Sequence, residues 1–105
     1  MTTKIALIAG TGFYDIPALA GKSPEKVETR YGNAEITVGS WHGAEFIFLT
    51  RHGSGHSIPP HKINYRANIQ ALKDKGVKAV IAINVVGGVD KTLVPGDLTL
   101  IEDFV

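Results

Sequence analysis

Residues 51–61 concentrate ionisable side chains in a stretch that is unsuited to regular structure. The segment reads RHGSGHSIPPH, and it holds three of the four histidines in the chain together with one arginine. Its glycines and prolines disfavour the interior of a helix or a strand. Three kinds of site fit these residue types: a metal site, a general acid–base site and a binding site for an anion.

A metal site fits these residues least well. His52 and His56 are four positions apart, a spacing that would place both on one face of a helix. Gly53 and Gly55 lie between them, however, and Pro59-Pro60 follows, so a helix is not expected here. No aspartate or glutamate occurs from residue 46 to residue 73, although metal-bound histidines usually have carboxylate or carbonyl partners. We therefore expect no metal at this segment.

General acid–base catalysis by His52 or His56 is chemically possible, because an unperturbed histidine titrates near pH ~6.5. The sequence places no obvious nucleophile beside them, and a catalytic triad cannot be identified from spacing alone. Histidines in such a loop are also compatible with a solvated surface. The sequence alone leaves these interpretations open.

An anion site accounts for the largest number of unusual residues. The Gly10-Thr11-Gly12 turn follows an apolar run and offers backbone N–H groups and a hydroxyl, which together suit a phosphate. Arg51 supplies a permanent, forked cation, and His52 adds a donor. Asn84-Val85, at the end of a second apolar run, can add further N–H groups. A hydrogen-bonded structural role is the alternative interpretation of Asn84.

The predicted elements explain how distant residues meet. Apolar runs without alternation indicate buried strands, a three-to-four-residue period indicates a helix, and glycines or prolines end each element. We predict strands at Ile5 to Ala9, Glu35 to Val38, Glu45 to Thr50, Ala79 to Val86 and Leu98 to Ile101, a helix over 63–75, and a surface excursion over 21–33. The fold class is α/β, with a mixed, largely parallel sheet flanked by helices. Because ligands bind at the carboxyl ends of strands in such sheets, segments 10–12, 51–53 and 84–88 should converge on one crevice.

The bulk properties narrow the class of protein. The 105 residues are 44% hydrophobic and 20% charged with a net charge of +1, which is typical of one small globular domain and gives no general attraction to nucleic acid or to an anionic membrane. There is no cysteine, so a disulfide framework is excluded. The N-terminal apolar run is too short for a signal peptide, and no window approaches the ~20 apolar residues of a membrane span. We expect a soluble, cytoplasmic protein.

At this point the motifs resemble a family, the nucleoside phosphorylases that act on S-methyl-5′-thioadenosine, S-methyl-5′-thioinosine and purine nucleosides. Residues 8–14, IAGTGFY, resemble its N-terminal phosphate loop. The RHG at 51–53, His56 and the run IPPHKINYRAN at 58–68 resemble its most diagnostic stretch. NVVGG at 84–88 and PGD at 95–97 resemble the segments that follow. The resemblance covers essentially the whole chain, in order.

The resemblance implies a function and a set of site residues. It implies phosphorolysis of a purine (5′-methylthio)nucleoside to the free base and a (5-methylthio)ribose 1-phosphate, in a cytoplasmic homo-oligomer, by implication a trimer. It assigns phosphate to Thr11, Arg51, His52, Asn84 and Val85, the last through its backbone N–H, and assigns substrate contact to His56. No metal or cofactor is implied, since inorganic phosphate is a co-substrate. Two positions depart from the usual family pattern: Val85 replaces alanine and Ala9 replaces glycine.

The length also departs from the family, whose catalytic domain is more than twice as long. We therefore expect residues 1–105 to be the N-terminal portion of a single nucleoside phosphorylase domain, with an incomplete site of its own. Because the chain encodes one convincing helix, much of one sheet face should lack cover, and the isolated chain should associate or aggregate. The alternative function is a non-catalytic α/β anion-binding or assembly module derived from the same family.

Overall fold

A computed structural model describes residues 4–10, 15–53, 55 and 57–105 of the chain. These residues form a five-stranded sheet with the strand order β2-β3-β4-β1-β5 and one α-helix. The strands are β1 (Ile5–Ala9), β2 (Ala20–Thr29), β3 (Gly32–Trp41), β4 (Ala44–Thr50) and β5 (Ala79–Ala82), the helix is α1 (Tyr65–Asp74), and a 3-10 turn occupies Pro60–Lys62. The predicted α/β class with a mixed sheet is confirmed.

The sheet divides into an antiparallel half and a parallel half. β3 runs antiparallel to both β2 and β4, whereas β1 runs parallel to β4 on one side and to β5 on the other. The connection from β4 through α1 to β5 is a crossover between parallel strands, and β1 lies between the two strands that it joins. Three parallel strands therefore end at the same edge of the sheet.

The antiparallel half contains a strand that the sequence did not predict. The expectation of a surface excursion over 21–33 is wrong, because β2 pairs with β3 along most of its length. Its residues are largely exposed, so the polar composition reflects an edge strand with little of its surface in the core. Pro24 is tolerated because one side of an edge strand needs no ladder hydrogen bonds.

The predicted hairpin at residues 35–50 is confirmed. β3 and β4 reach closer to the turn than expected, since Trp41 pairs with Ala44. The two turn residues, His42 and Gly43, both have positive φ, at 51° and 78°, as the mirror-image turns that suit hairpins require. β4 then leads directly into Arg51.

The predicted helix is also confirmed, with slightly narrower bounds. The Asn64 side chain accepts a hydrogen bond from the Ala67 N–H at 3.0 Å, which caps the N-terminus. The buried side of α1 presents Ala67, Ala71 and Leu72. Leu72 packs into a cluster with Ile47 and other residues of the sheet. The helix lies mainly over β2 and β3, so it covers the antiparallel half of one face.

The C-terminal part of the described chain has less structure than the sequence predicted. β5 ends at Ala82 instead of Val86, all four of its residues are exposed, and residues 98–101 form no strand. A strand needs a pairing partner, and β1 is the neighbour of β5 within the described sheet. No helix in the described part of the chain has the length and apolar character needed to cross a membrane.

Candidate functional site at the carboxyl ends of the parallel strands

Backbone hydrogen bonds carry the parallel pairing one step beyond the strands. The Arg51 N–H donates to the Ala9 carbonyl at 2.9 Å, and the Ile83 N–H donates to the Ile8 carbonyl at 2.9 Å. The residues that follow β1, β4 and β5 are therefore held side by side. Of the predicted convergence of segments 10–12, 51–53 and 84–88, the meeting of positions 10, 51 and 84 at one edge is present in the structure. Residues 11 and 12 lie outside the described part of the chain.

The pleat of the sheet places the key side chains on one face. Ala6 and Ile8 of β1 belong to the core cluster beneath α1, as do Ile47 and Leu49 of β4. Alternation along each strand then assigns positions 10 and 51 to that same face. Position 84 follows by the same rule, because Val80 pairs with Ala6.

Arg51 reaches across the end of the central strand of the three. Its Nη1 donates a hydrogen bond to Oδ1 of Asn84, so a side chain that follows β4 contacts one that follows β5. Between them, the guanidinium lies directly over Gly10. A Cβ atom built on Gly10 would be 2.7 Å from Cζ and 3.2 Å from Nε of Arg51. A side chain at position 10 would displace the Arg51 guanidinium from this position.

The charge of Arg51 is not neutralised within the described part of the protein. The ion pairs found there join Lys4 with Glu45, Lys22 with Asp15 and Lys75 with Glu25. The partner of Arg51 is instead the uncharged amide of Asn84. A half-exposed guanidinium with a neutral partner is an attractive contact for an oxyanion.

His52 fixes the loop that follows Arg51. The residue is 8% exposed, and its Nδ1 lies 2.9 Å from the Ile58 carbonyl oxygen. The Ile58 N–H donates back to the His52 carbonyl at 2.9 Å. Because a carbonyl oxygen only accepts, Nδ1 carries the proton. Donation from this ring to a phosphate would therefore come from Nε2 of the protonated imidazole, and the assignment of His52 to phosphate stays a prediction.

The start of this loop depends on a second glycine. Gly53 has φ of 76°, and its N–H donates to the Thr50 carbonyl at 3.2 Å. A side chain would be strained in this left-handed conformation. The turn therefore ends the extended run of β4 directly after Arg51 and His52.

Val85 is strongly exposed. Its side chain is 76% exposed, so the methyl groups that replace the usual alanine do not enter the described core. Its backbone N–H has no hydrogen-bond partner among residues 4–10, 15–53, 55 and 57–105. The amide is available for the phosphate contact that the resemblance implies, and that contact stays a prediction.

Two predicted site residues lie outside the described part of the chain. These are Thr11, assigned to phosphate, and His56, assigned to the substrate. Of the remaining predictions, the structure brings Arg51 and Asn84 into contact and leaves His52 one residue away on the opposite side of the pleat. The sequence identified Gly10 as part of a phosphate loop but did not reveal that Arg51 packs on it, since no local pattern encodes which strands are neighbours.

Comparison with known proteins identifies the family. The phosphorylase superfamily model matches residues 4–105. The chain belongs to this superfamily. It is 49% identical over 102 residues to the 6-oxopurine nucleoside phosphorylase of Pyrococcus furiosus, and 48% identical over 103 residues to the S-methyl-5′-thioadenosine phosphorylase of Hyperthermus butylicus. The resemblance drawn from the motifs is confirmed.

Solved structures of this superfamily share the fold. The methylthioadenosine phosphorylase of Schistosoma mansoni in complex with adenine superposes with a TM-score of 0.83 at 38% identity, covering 91% of this chain and 35% of its own. The alignments with the two sequence relatives include 97% and 96% of this chain, but only 38% of the length of each relative. The chain thus spans about two fifths of the length of the relatives that it matches.

Proposed function

We propose that the protein catalyses phosphorolysis of a purine nucleoside or 5′-methylthio purine nucleoside. The products are the free purine base and ribose 1-phosphate or its 5-methylthio analogue. The observation that carries the proposal is the Arg51 guanidinium, held by a neutral partner at the carboxyl ends of three parallel strands. The names of the relatives supply the reaction class, and they do not favour a non-catalytic module.

The chemistry follows from the charge that develops during cleavage of the glycosidic bond. As the bond to the base lengthens, the sugar acquires oxocarbenium character, and a phosphate anion beneath it offsets that charge before it attacks C1′. Arg51 binds and orients the phosphate, while the Val85 amide and the predicted donors Thr11 and His52 complete the cradle. His56 contacts the nucleoside. Holding phosphate close to C1′ converts a bimolecular step into a positioned one.

The remaining features are proposals of the same kind. No metal or organic cofactor takes part, because phosphate itself is the nucleophile. The protein acts in the cytoplasm as a homo-oligomer, a trimer by resemblance to the family. The exposed apolar residues of β5, including Val80 and Ile81, support association with further protein surface. Residues 1–105 form the N-terminal portion of the catalytic domain.

The reaction can be tested with the full-length protein and four nucleosides. Inosine, adenosine and their two 5′-methylthio derivatives are each incubated with and without inorganic phosphate. We expect base release that depends on phosphate, with a pentose 1-phosphate as the second product. Comparing the rates for the 6-oxo and 6-amino nucleosides then identifies the preferred purine. Comparing each 5′-methylthio nucleoside with its parent shows whether the methylthio group is required.

Two results would overturn the proposal. The first is base release at the same rate without phosphate, which would indicate a hydrolase. The second is no base release from any of the four nucleosides by a protein that is folded and oligomeric. Hydrolysis would leave Arg51 without its proposed ligand.

A further inference from the structure

We infer that Gly10 and Asn84 are positioning residues that act on phosphate through Arg51. The inference rests on the proposed function and deepens it. Gly10 provides the space over which the guanidinium crosses the end of β1, and Asn84 holds the far end of that side chain with an uncharged acceptor. Neither role follows from the resemblance, which assigns Asn84 to direct contact with phosphate and gives Gly10 no individual role.

The role of Gly10 is steric. Its φ is outside the left-handed range, unlike that of Gly53, Gly76 or Gly96, so the backbone conformation itself would accept an alanine. The obstacle is the guanidinium, whose Cζ would lie 2.7 Å from an added Cβ. Real Cβ atoms essentially never approach other heavy atoms that closely, so Arg51 would have to leave the surface of β1.

The role of Asn84 is to orient Arg51 without cancelling its charge. Oδ1 of Asn84 accepts from Nη1 of Arg51, and this contact fixes the plane of the fork. An aspartate of the same shape would make the same contact but would form an ion pair. Because a paired guanidinium offers less net attraction to an anion, the amide is the better support for a phosphate site.

These two contacts together fix the guanidinium before phosphate binds. An arginine side chain has several rotatable bonds, and ordering it costs free energy that a preformed site has already spent. A displacement of about 1 Å at a reacting centre can cost roughly 100-fold in rate. Residues that set the position of Arg51 should therefore affect phosphate much more than they affect the nucleoside.

The first experiment is a mutant cycle between positions 10 and 51 in the full-length protein. The variants are Gly10→Ala, Arg51→Lys and the double variant. For each, the rate of phosphorolysis is measured with phosphate varied at saturating nucleoside, and then with nucleoside varied at saturating phosphate. We expect Gly10→Ala to raise the KM for phosphate by about 10- to 100-fold with the nucleoside KM changed less than about threefold. The KM for phosphate of the double variant should be less than about threefold higher than that of Arg51→Lys, because a lysine has no guanidinium fork to displace.

The outcomes separate this inference from the proposed function. If Arg51→Lys raises the phosphate KM while Gly10→Ala leaves it within about threefold, the inference is wrong and the phosphate site stands. Full additivity of the two changes would also overturn it. If Arg51→Lys itself leaves the phosphate KM unchanged, the phosphate site of the proposed function is wrong. Thermal unfolding of each variant verifies that it is folded.

The second experiment addresses Asn84 and does not depend on the fold of the Gly10 variant. Asn84→Asp should raise the KM for phosphate by about tenfold or more over the natural protein, because the carboxylate neutralises Arg51. This increase should be larger than that caused by Asn84→Ala. Asn33→Asp, at an exposed position of β3, adds the same charge elsewhere as a control. A KM for phosphate in Asn84→Asp equal to that of the natural protein would overturn the role of the neutral acceptor.

Discussion

The two halves of the sheet differ in cover more than in composition. β4 lies in the half beneath α1, and its Ile47 and Leu49 are 0% and 1% exposed. β5 is as apolar in sequence, yet Val80 and Ile81 are 46% and 53% exposed. The difference arises because α1 packs mainly over β2 and β3, while all four residues of β5 stay exposed. On the face that α1 covers, the position of the helix decides which strands are buried.

The candidate site lies across the boundary between these halves. Arg51 follows the covered strand β4, and His52 closes its loop with two hydrogen bonds to Ile58. Asn84 and Val85 follow the bare strand β5, and both are exposed. One wall of the site is therefore fixed by local packing, whereas the other is held mainly by its pairing with β1.

The largest expected effect of the bare half is on the association of the 105-residue chain itself. Exposed apolar side chains continue along the chain from β5 through Val86 and Val89 to Leu98 and Leu100, and clustered apolar surface of this kind favours association. We expect size-exclusion chromatography with light scattering to show oligomers or aggregates of this chain. A sharp monomer that unfolds cooperatively would contradict the expectation and would favour a self-sufficient binding module.

A pair of matched substitutions compares the halves directly. Ile47→Ala empties a fully buried position of β4 and should lower the free energy of unfolding by about 2–5 kcal/mol. Ile81→Ala, in β5, should cost less than about 1.5 kcal/mol as long as its side chain stays half exposed. Denaturant unfolding of both variants in the same background measures the difference. Equal costs in the full-length protein would show that β5 is covered there by further protein.

The same contrast explains which elements could be predicted from the sequence. Strand β1, the β3–β4 hairpin and helix α1 carry strong local signals, namely apolar runs, a turn glycine and a helical period with a cap. β2 was missed because an exposed edge strand needs few apolar residues, so its period was too weak to recognise. The predicted strand at 98–101 was wrong because apolar residues form a strand only where a partner strand is available.

The candidate site was predictable to a similar extent. Residue chemistry and strand ends identified Arg51 and Asn84 and placed them at one edge. The contact between them was not predictable, because positions 10, 51 and 84 meet only through the order β4-β1-β5, which no local pattern specifies. Which ring nitrogen of His52 carries the proton was likewise not predictable, since it depends on the contact with the Ile58 carbonyl.

Removal of the cation at the site should have a smaller energetic effect than emptying the core. Arg51→Ala removes the proposed charge-assisted contact with phosphate, which is worth about 1.5–3 kcal/mol. We therefore expect the apparent KM for phosphate of the full-length protein to rise roughly tenfold to a hundredfold or more, with little change in the KM for the nucleoside. Lys78→Ala, which removes an exposed charge before β5 at the opposite edge of the sheet, is the control. If Arg51→Ala changed the KM for phosphate by less than about threefold, Arg51 would be a structural residue.

The smallest expected effect concerns the junction that holds the covered half together. Asn64 accepts from the Ala67 N–H and also donates through Nδ2 to the Tyr31 carbonyl at 2.7 Å. It thereby ties the start of α1 to the turn between β2 and β3. Asn64→Ala removes the cap and leaves the turn without its donor, and should lower the free energy of unfolding by about 1–2 kcal/mol.

Two further variants divide that cost between the two contacts. Asn64→Asp keeps an acceptor for the Ala67 N–H and adds a negative charge that favours a helix N-terminus, but it cannot donate to Tyr31. It should therefore be less destabilising than Asn64→Ala. Asn68→Ala, one turn further along α1, should change stability by no more than about 0.5 kcal/mol. If Asn64→Asp proved as costly as Asn64→Ala, the bond to Tyr31 would be the main contribution, and the turn between β2 and β3, more than the helix cap, would hold α1 against the covered half.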